Sequence, residues 1–490
     1  MDPYGSDSES VSEFERLEST LPQPLRRSAS SLLEKLTNGS QTHLSNLHLD
    51  SPTPRVPHHQ APSNSLGHLL SKLSMSENGR ESSPIPLPRP DFNEEIHKPA
   101  MNTKQSSTGV LWVTERANEY GFQGNGDDSW ANLGQGAPEH GDTIPGSFKR
   151  PKSIEVPDVS REYAPTAGIK ELRESVANLY NSLYREGKES KYTYKNVCIV
   201  PGGRAGLIHA FAFQELLPIP VPLDEVDNYE MHLAHIDLEL KRGVSAFLTS
   251  NPETPPLKRL HKICRDKCLL IMDEFYSHYY YDDDCSGSSI SSAQFVKDVN
   301  KDPVLILNGL TKAFRLPGWR ICWILGPEEY INSLSSAGSY LDGGSNAPFQ
   351  YAAIDFLKPL AVKAEMKALQ LHFKMKRDYI IGRLSKMGFP FTQKNIPNST
   401  FYLWLNLSHL PGKLSNCLGF FHECLHEKVI VVPGFFFLIN PQNLSRLEDV
   451  IWYNYVRISY GPELPQLVKG MDGIERILRR FNALPADYKS

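Results

Sequence analysis

The chain has 490 residues, of which 40% are hydrophobic and 10% aromatic, and its formal net charge at pH 7 is −4. This length and composition are typical of a globular protein with more than one domain and sizeable cores. The slightly negative charge argues against nucleic acid or an anionic membrane as the main partner. No apolar run reaches the roughly eighteen residues that a membrane-spanning helix needs.

The first residues, MDPYGSDSES, are acidic and polar, unlike a secretory signal or an Arg-rich transit peptide. The chain has seven scattered cysteines, several of them in apolar runs such as NVCIV and RICWIL. An odd, scattered set is typical of free thiols in a reducing compartment rather than of a disulfide framework. We therefore expect a cytoplasmic protein.

Residues 1–100 are rich in Ser, Pro, His and Asn, as in SPTPRVPHHQAPSNS. A segment with few aromatic residues and little periodicity buries too little surface to offset its ordering entropy, so we predict a disordered tail. The tail contains two similar Leu clusters, Leu32–Leu36 and Leu69–Leu73. They are either helical motifs that fold on a protein partner or chance occurrences, and the false-positive risk of short motifs favours chance.

From about residue 105 the pattern changes. YAPTAGIKELRESVANLYNSLYREG carries apolar residues at helical spacing. Short strands that are apolar throughout then alternate with helices: NVCIV, GGRAGLIHAFAFQEL, VSAFLTS, PLKRLHKICRDK, CLLIMDE and PVLILNGL. This alternation predicts an α/β fold with a mostly parallel sheet covered by helices on both faces.

After residue 350 the pattern becomes long helices followed by the strand-like pieces STFYLWLNL, VIVVPG and YVRISYG. We predict a smaller α+β domain at 351–490 beside a large α/β domain at 161–350. Residues 101–160 are predicted to be an N-terminal arm that completes part of the small domain.

Asp273 lies where a predicted buried strand ends, in CLLIMDEFY. Ligands of open α/β sheets bind at the carboxyl ends of strands. A buried carboxylate needs a cationic or hydrogen-bonding partner, and Tyr276 could present its phenol to the same ligand. On this segment alone, the alternative that Asp273 caps the following residues stays open.

The segment VPGGRAGLI follows a strand and opens a helix. Gly202 and Gly203 permit a tight turn, and a helix N-terminus directs free N–H groups and positive dipole outward, so a phosphate would fit there. The turn is common in α/β proteins, and no Gly-Lys-Ser/Thr follows to make it a Walker A sequence.

LNGLTKAFRLPGWRICW places Lys312 in an otherwise apolar passage, with Arg320 eight residues later. Lys312 could be a snorkelling surface lysine, an ion-pair partner, or an amine whose lowered pKa makes it a nucleophile. The guanidinium of Arg320 suits a phosphate. Pyridoxal 5′-phosphate (PLP) needs all of these groups at once: a lysine for its aldehyde, a carboxylate for its ring nitrogen, and donors for its phosphate.

On these motifs, residues 105–485 resemble the class I/II aminotransferases of PLP fold type I. DEFY looks like the Asp-x-x-Tyr motif of the family, and TKAFRLPGWR is similar to its Ser/Thr-Lys-x-x-x-x-x-Gly-x-Arg signature. The resemblance implies that Lys312 is the catalytic, cofactor-bound lysine. It also implies cofactor contacts from Gly203, Arg204, Asp273, Tyr276, Thr311 and Arg320.

Three further segments carry the resemblance. REYAPTAGIKELR places Tyr163 where the family reaches the cofactor phosphate of a neighbouring subunit, which implies a homodimer. NLGQGAPEHG resembles the substrate loop and places Gly136 beside the substrate. YVRISYG places Arg457 where the family binds the α-carboxylate of the substrate.

The chain also departs from the family. SNPETPPLKRL stands where the family has Asn-Pro-x-Asn-Pro-Thr-Gly, so Thr254 replaces an Asn that donates to the cofactor. The stretches from Gly202 to Asn251 and from Asn251 to Asp273 are short for the family. Gly309 replaces a hydroxyl that often precedes the lysine by three residues. The fold is therefore either trimmed or repaired by other residues.

FFHECLHEK contains the pattern H-E-x-x-H, in which His422 and His426 would share a helix face and could bind zinc. No third ligand is evident downstream, and the segment runs straight into VIVVPG. We interpret it as a solvated helix face and the run YYYDDDC as an exposed acidic loop, and we predict no metal site.

The sequence thus predicts a PLP-dependent aminotransferase that moves an amino group between an amino acid and a 2-oxo acid. Two alternatives stay open. One is a PLP-dependent lyase, such as a C–S lyase or an aminocyclopropane-carboxylate synthase-like enzyme, because the Cα carbanion is shared and the pocket decides its fate. The other is an inactive homologue that acts as a scaffold through its tail.

Overall fold

The computed structural model describes residues 109–124, 126–142, 144–211, 219–221, 223, 229, 231–251, 257–281, 284–393, 395–437 and 452–488. All of them belong to the unit formed by residues 92–212 and 216–490. The tail at 1–100 with its two Leu clusters, and Thr254, lie outside the described residues. The predictions made for them stay predictions.

The helices found in these ranges are α1 (Val110–Glu119), α2 (Lys170–Tyr184), α3 (Gly203–Phe211), α4 (Leu233–Leu240), α5 (Leu257–Cys264), α6 (Glu328–Leu341), α7 (Ala347–Ala353), α8 (Pro359–Lys386), α9 (Cys417–His426) and α10 (Leu464–Arg480). The strands are β1 (Ala131–Asn132), β2 (Val197–Val200), β3 (Ala246–Ser250), β4 (Leu269–Asp273), β5 (Val304–Gly309), β6 (Cys322–Leu325), β7 (Tyr402–Asn406), β8 (Val429–Ile430), β9 (Val432–Pro433) and β10 (Tyr455–Ser459). The predicted alternation of strands and helices is confirmed.

The largest sheet has five strands in the order β2-β6-β5-β4-β3. Strand β4 is parallel to both of its neighbours, β3 and β5. Strand β6 is antiparallel to both β5 and β2, so the other four strands run in one direction. The prediction of a mostly parallel sheet is therefore confirmed, with β6 as the reversed strand.

Helices cover both faces of this sheet. The residues of β5 are all buried, and they alternate between two apolar clusters, because successive side chains of a strand point to opposite faces. Val304 and Ile306 belong to the cluster that includes α2 and α5. Leu305 and Leu307 belong to the cluster beneath α3 and α6. A strand buried on both faces reads as an unbroken apolar run, which is the pattern of VLIL.

Strand β3 differs from the expectation for an apolar strand. It lies at the end of the described sheet, with β4 as its neighbour there, and the side chain of Leu248 is 46% exposed. An apolar run alone does not distinguish a central strand from an edge strand, because pairing partners come from elsewhere in the chain.

Residues 402–406, 432–433 and 455–459 form a second sheet, the antiparallel β7-β10-β9, and the short strands β1 and β8 pair in parallel. These strands pack with α8, α9 and α10 around a third apolar cluster. Arg457 lies in the central strand β10, opposite Trp404 of β7 and Val432 of β9. The exact domain boundaries at 160 and 350 stay predictions.

All seven cysteines are among the described residues, and each is a buried free thiol. None of the described helices combines the length and the apolar character needed to cross a membrane. In α9, Glu423 of the H-E-x-x-H pattern forms ion pairs with Lys413 at 2.6 Å and Arg480 at 2.5 Å. No group of three or more side chains suited to a metal ion is found in the described ranges.

The edge position of β3 can be tested with two matched substitutions. Leu270 of β4 is 1% exposed and Leu248 of β3 is 46% exposed. We expect Leu270→Ala to lower the free energy of unfolding by about 2–5 kcal/mol, because it leaves a buried cavity. Leu248→Ala should lower it by only about 1 kcal/mol, since half of that side chain already contacts water. Urea unfolding followed by tryptophan fluorescence measures both, and equal losses would contradict the edge assignment.

Candidate active site

Lys312 and Asp273 lie at the ends of adjacent parallel strands. Asp273 is the last residue of β4 and pairs with Leu307 of β5, and Lys312 follows the end of β5 by three residues. The pKa of Lys312 is lowered to about 8, chiefly by burial and then by the positive charges of Arg457 and Arg204, while the Asp273 carboxylate acts in the opposite direction. The chain thus brings together an amine, a carboxylate and two guanidinium groups.

The Asp273 carboxyl is largely buried. Burial raises its pKa, while a hydrogen bond from the backbone N–H of Phe275 at 3.3 Å and the charge of Lys312 act to lower it. Its capping contact to Phe275 and its position beside Lys312 coexist, so the two interpretations of this residue do not exclude each other. A half-desolvated carboxylate here suits a cationic nitrogen of a ligand.

Tyr276 and Tyr402 form a pair of phenols, with their hydroxyl oxygens 3.2 Å apart. Burial raises the pKa of the Tyr276 hydroxyl well above its ordinary value, and Tyr402 adds to the shift. The ring of Tyr402 also lies 4.5 Å from the guanidinium carbon of Arg457. Tyr402 therefore links the two predicted residues Tyr276 and Arg457, and the sequence interpretation missed it.

The N-terminus of α3 faces Arg320. Gly202 has a φ of +112°, and a Cβ on it would lie 1.8 Å from Nη2 of Arg320, so only glycine fits this close approach. Arg320 is exposed and has a left-handed backbone with φ of 57°, and its guanidinium donates to Pro201 O at 3.3 Å. This arrangement puts a guanidinium fork beside the N–H groups at the start of a helix, as a phosphate requires.

Thr311 and Gly309 are positioned by Cys322 of the reversed strand β6. The Thr311 hydroxyl lies 3.2 Å from the Cys322 thiol. A Cβ on Gly309 would lie 2.5 Å from the Cα of Cys322. A side chain at residue 309 would therefore collide with β6, which favours glycine at this position.

Arg457 faces the loop of Gly134 and Gly136. Its Nη2 donates to Gly134 O at 2.9 Å, and Lys312 Nζ donates to Gly136 O. The guanidinium lies between the rings of Tyr402 and Phe437, and its buried Nε has no hydrogen-bond partner within the described residues. A buried donor without a partner, beside a loop predicted to touch substrate, suits a carboxylate ligand.

Tyr163 stands apart from this cluster, with 96% of its surface exposed. The chain thus brings together the predicted residues at the two strand ends and leaves Tyr163 in solvent. Asn251, the remaining Asn of the altered family motif, donates its side-chain amide to Ile290 O at 2.6 Å. One N–H of its side chain is therefore engaged within the protein.

Glu274 is a second residue that the sequence interpretation missed. It follows Asp273 and is fully buried, accepting hydrogen bonds from the Ser291 hydroxyl and the Ser292 backbone N–H, each at 2.6 Å. Burial raises its pKa to about 7. The feature of the sequence that could have revealed Glu274 is the Asp-Glu pair at the end of a strand. The first carboxyl faces the ligand side, and the second anchors the loop behind it.

The donor set fits PLP. Lys312 is a buried amine of lowered pKa for the aldehyde, Asp273 is a carboxylate for the ring nitrogen, and Tyr276 offers a phenol. The glycine turn before α3, with Arg320 packed against it, opens a helix whose N-terminus suits a phosphate. The individual contacts of these residues with the cofactor stay predictions.

The family model described as "Aminotransferase class I and II" matches residues 214–466. A probable aspartate/prephenate aminotransferase of Aquifex aeolicus is 25% identical, over 76% of this chain and 96% of that protein. An aspartate aminotransferase of Pyrococcus horikoshii is 26% identical, over 71% of this chain and 90% of that protein.

Solved structures give the same fold. The aspartate aminotransferase from Thermus thermophilus with maleate is 21% identical and has a TM-score of 0.61, covering 78% of this chain and 98% of that one. The aspartate aminotransferase from Thermotoga maritima has a TM-score of 0.58 at 20% identity, covering 76% of this chain and 96% of that one. With the family model spanning more than half of its length, the chain belongs to the class I and II aminotransferases, and it is a PLP-dependent enzyme that moves an amino group between an amino acid and a 2-oxo acid.

Proposed function

We propose that this aminotransferase binds PLP between Asp273 and Lys312, with the cofactor phosphate at the start of α3. The observation that carries the proposal is the partly buried amine of Lys312, which lies at the rim of the sheet and interacts with Asp273, Arg457 and Arg204. When bound, PLP supplies an aldehyde that takes up the amino group of the substrate and a cationic ring that withdraws electrons from Cα.

Lys312 is proposed to move the proton. Once the substrate amine has displaced it, its neutral Nζ takes the proton from Cα of the amino acid and returns it to the carbon that received the nitrogen. Because its pKa lies at about 8, a useful fraction of the amine is neutral near physiological pH, whereas an ordinary lysine would be almost fully charged.

Asp273, Tyr276 and Arg457 are proposed to hold the reactants in place. The Asp273 carboxylate keeps the ring nitrogen protonated, and the Tyr276 hydroxyl contacts the ring oxygen. Arg457 binds the α-carboxylate of the amino acid, which would take over the guanidinium N–H that now donates to Gly134 O. Gly136 lies beside the substrate because a Cβ on it would be 3.5 Å from the Tyr402 hydroxyl and 4.0 Å from Nη2 of Arg457.

Two chains are proposed to form a homodimer. Tyr163 is 96% exposed, and Tyr340 and Leu341 are 73% and 50% exposed. The surface around Tyr163 and the surface around Tyr340 are neighbours. A Cβ placed on Gly338, in the helix of Tyr340, would lie 3.3 Å from the methyl of Thr166. An exposed patch of this kind suits an interface, through which Tyr163 would reach the cofactor phosphate of the partner.

The substrate is proposed to carry an apolar or aromatic side chain. The names of the relatives point both to dicarboxylic and to aromatic amino acids, since they include aspartate aminotransferases and an aromatic-amino-acid aminotransferase of Thermococcus litoralis. The side chains next to Arg457 favour the second class, because the rings of Tyr402 and Phe437 lie 4.5 and 5.1 Å from its guanidinium carbon.

A cytoplasmic location is also proposed. Its support is the state of the cysteines: all seven are free and buried, as is usual in a reducing compartment.

The pKa of Lys312 gives the first test. In the apoenzyme, we expect the rate of condensation with PLP to rise with pH along a titration curve whose midpoint is near pH 8, because only the neutral amine attacks the aldehyde. Arg457→Met should move the midpoint upward, since the loss of a nearby cation raises a lysine pKa. The visible absorbance band of the lysine-bound cofactor measures the rate at each pH.

Two controls accompany this test. Arg480→Met removes an arginine that pairs with Glu423 and Glu427, so the midpoint should not move. Lys312→Ala should show no lysine-bound band, and borohydride, which reduces the lysine–cofactor C=N bond to a stable amine in the wild type, should attach no cofactor to it. A wild-type midpoint near the ordinary lysine pKa, or an unchanged midpoint in Arg457→Met, would overturn the proposed environment of the amine.

Substrate class is tested by titrating the PLP-loaded enzyme with phenylalanine, tyrosine, aspartate and glutamate, following the loss of the lysine-bound band. We expect the aromatic amino acids to bind more tightly than the dicarboxylic ones. Phe437→Ala should weaken binding of the aromatic pair by about three- to tenfold, the usual strength of an aromatic contact, and leave aspartate unaffected. Tighter binding of aspartate by the wild type would refute the assignment.

The role of Tyr163 across the interface is tested by complementation. Tyr163→Phe alone should weaken PLP binding by about tenfold or more, because it removes a hydrogen bond to a charged group. Co-expressed with Lys312→Ala, it should form mixed dimers in which one site has both Lys312 and the Tyr163 of the partner. In those mixed dimers, one of the two sites is expected to bind PLP as tightly as the wild type. No recovery would mean that Tyr163 acts within its own chain, or not at all.

A further inference from the structure

A buried carboxylate, Glu139, lies three residues after Gly136 and outside the proposed contacts with cofactor and substrate. We propose that Glu139 is a positioning residue that holds the loop of Gly134–Gly136 against Arg457, through its ion pair with Lys376. This inference rests on the proposed role of Arg457 and Gly136 in substrate binding. According to this inference, a pair of charges at the opposite end of the loop determines how precisely Gly136 is positioned against Arg457.

The side chain of Glu139 is held by α8. Its Oε1 accepts hydrogen bonds from Lys376 Nζ at 2.8 Å and from His372 Nε2 at 2.5 Å, which lie one helical turn apart. The side chains of Glu139 and Lys376 are 3% and 0% exposed. Burial acts to raise the pKa of Glu139, but the His372 hydrogen bond and the Lys376 charge outweigh it, so the pKa lies below its ordinary value. The carboxylate is therefore ionised at neutral pH.

Lys376 connects this carboxylate to the strand that carries Arg457. Its Nζ also donates to Gly461 O at 3.0 Å, and Gly461 follows the end of β10 by two residues. The same carbonyl accepts a hydrogen bond from the backbone N–H of Glu139 at 2.9 Å. The loop and helix α8 thus donate to the same carbonyl just after the strand of Arg457, and Arg457 donates to the other end of the loop at Gly134 O.

Arg315 connects the loop to the segment of Lys312. Its guanidinium is fully buried and donates to Glu139 O at 3.2 Å and to Gly141 O at 2.8 Å. Arg315 follows Lys312 by three residues, and Lys312 itself donates to Gly136 O. The loop is therefore held at both ends by hydrogen bonds. The donors are the two functional cations, Lys312 and Arg457, and Arg315 in the segment of Lys312.

The energetics favour a positioning role over a role in stability alone. A buried ion pair gains little over well-packed apolar side chains, because both charges lose their hydration, although removal of one partner is strongly destabilising. The benefit of such a pair is then that it fixes the relative positions of the two segments that carry the charges. Here the defined geometry is the distance between the loop and Arg457, and small displacements at such a site cost large factors in rate or binding.

The main test is the double variant Glu139→Gln/Lys376→Met, which removes both charges together. We expect the PLP-loaded protein to keep its lysine-bound absorbance band, because Lys312 and Asp273 are unchanged. The KM and the spectroscopic Kd for the amino acid should rise by about tenfold or more, and kcat should fall by a smaller factor, because the lost interaction positions bound substrate.

The matched control is Arg383→Met on the same helix. Arg383 pairs with Asp472 at 2.8 Å and Glu475 at 3.2 Å, away from the loop. It should lower the melting temperature without changing KM or Kd. If the double variant behaves like this control, the pair is merely structural and the inference is wrong.

A second variant keeps the inference testable if the double variant does not fold. His372→Gln leaves the Lys376 pair in place and changes the second side chain that contacts the Glu139 carboxylate, so the same constants should rise by about threefold. Unchanged constants in every variant of the pair that folds would overturn the inference. Arg457→Met separates the two levels: if it does not weaken amino-acid binding, the proposed substrate site fails, and if it does while the Glu139 variants have no effect, only the positioning role fails.

Discussion

The chemistry of this fold depends on one electrostatic balance at Lys312. Burial and two arginines favour the neutral amine, and Asp273 favours the ammonium, with a resulting pKa of about 8. Neither side of the balance is local in the sequence, because Asp273 ends β4 and Arg457 lies in a different sheet. The parallel pairing of β4 with β5 puts the carboxylate and the amine at the same rim of the sheet, and β10 supplies the cation from the other side.

The reversed strand β6 sets the spacing at the end of this site where we propose that the cofactor phosphate binds. It pairs with β5 closely enough that Gly309 cannot carry a side chain, and it positions the thiol that contacts Thr311. Arg320 lies two residues before β6 and reaches the turn at Gly202. Gly202 is favoured there by its φ of +112°, and Gly309 by its close approach to the backbone of Cys322.

The sequence predicted the residues whose context is local. Lys312 and Asp273 follow apolar strands, and Arg320 lies within the same signature as Lys312, so a reading of short segments finds them. The exposure of Leu248 in the predicted strand VSAFLTS was not foreseen, because an apolar strand does not reveal which neighbours it has. Glu139 and Lys376 were not found, because 237 residues separate them and Lys376 is one of several lysines on a long helix. Only the tertiary fold shows which of those lysines is buried.

Lys312 and Lys376 show why burial alone does not make a lysine reactive. Burial lowers the pKa of both to about 8. Lys376 has no exposed surface and donates to a carboxylate and a carbonyl that are themselves fixed, so neither water nor substrate can replace its partners. Lys312 is only partly buried and donates to Gly136 O, in the loop that we propose faces the substrate. The difference between a structural and a nucleophilic amine here is whether its hydrogen-bond partner can be exchanged for a ligand.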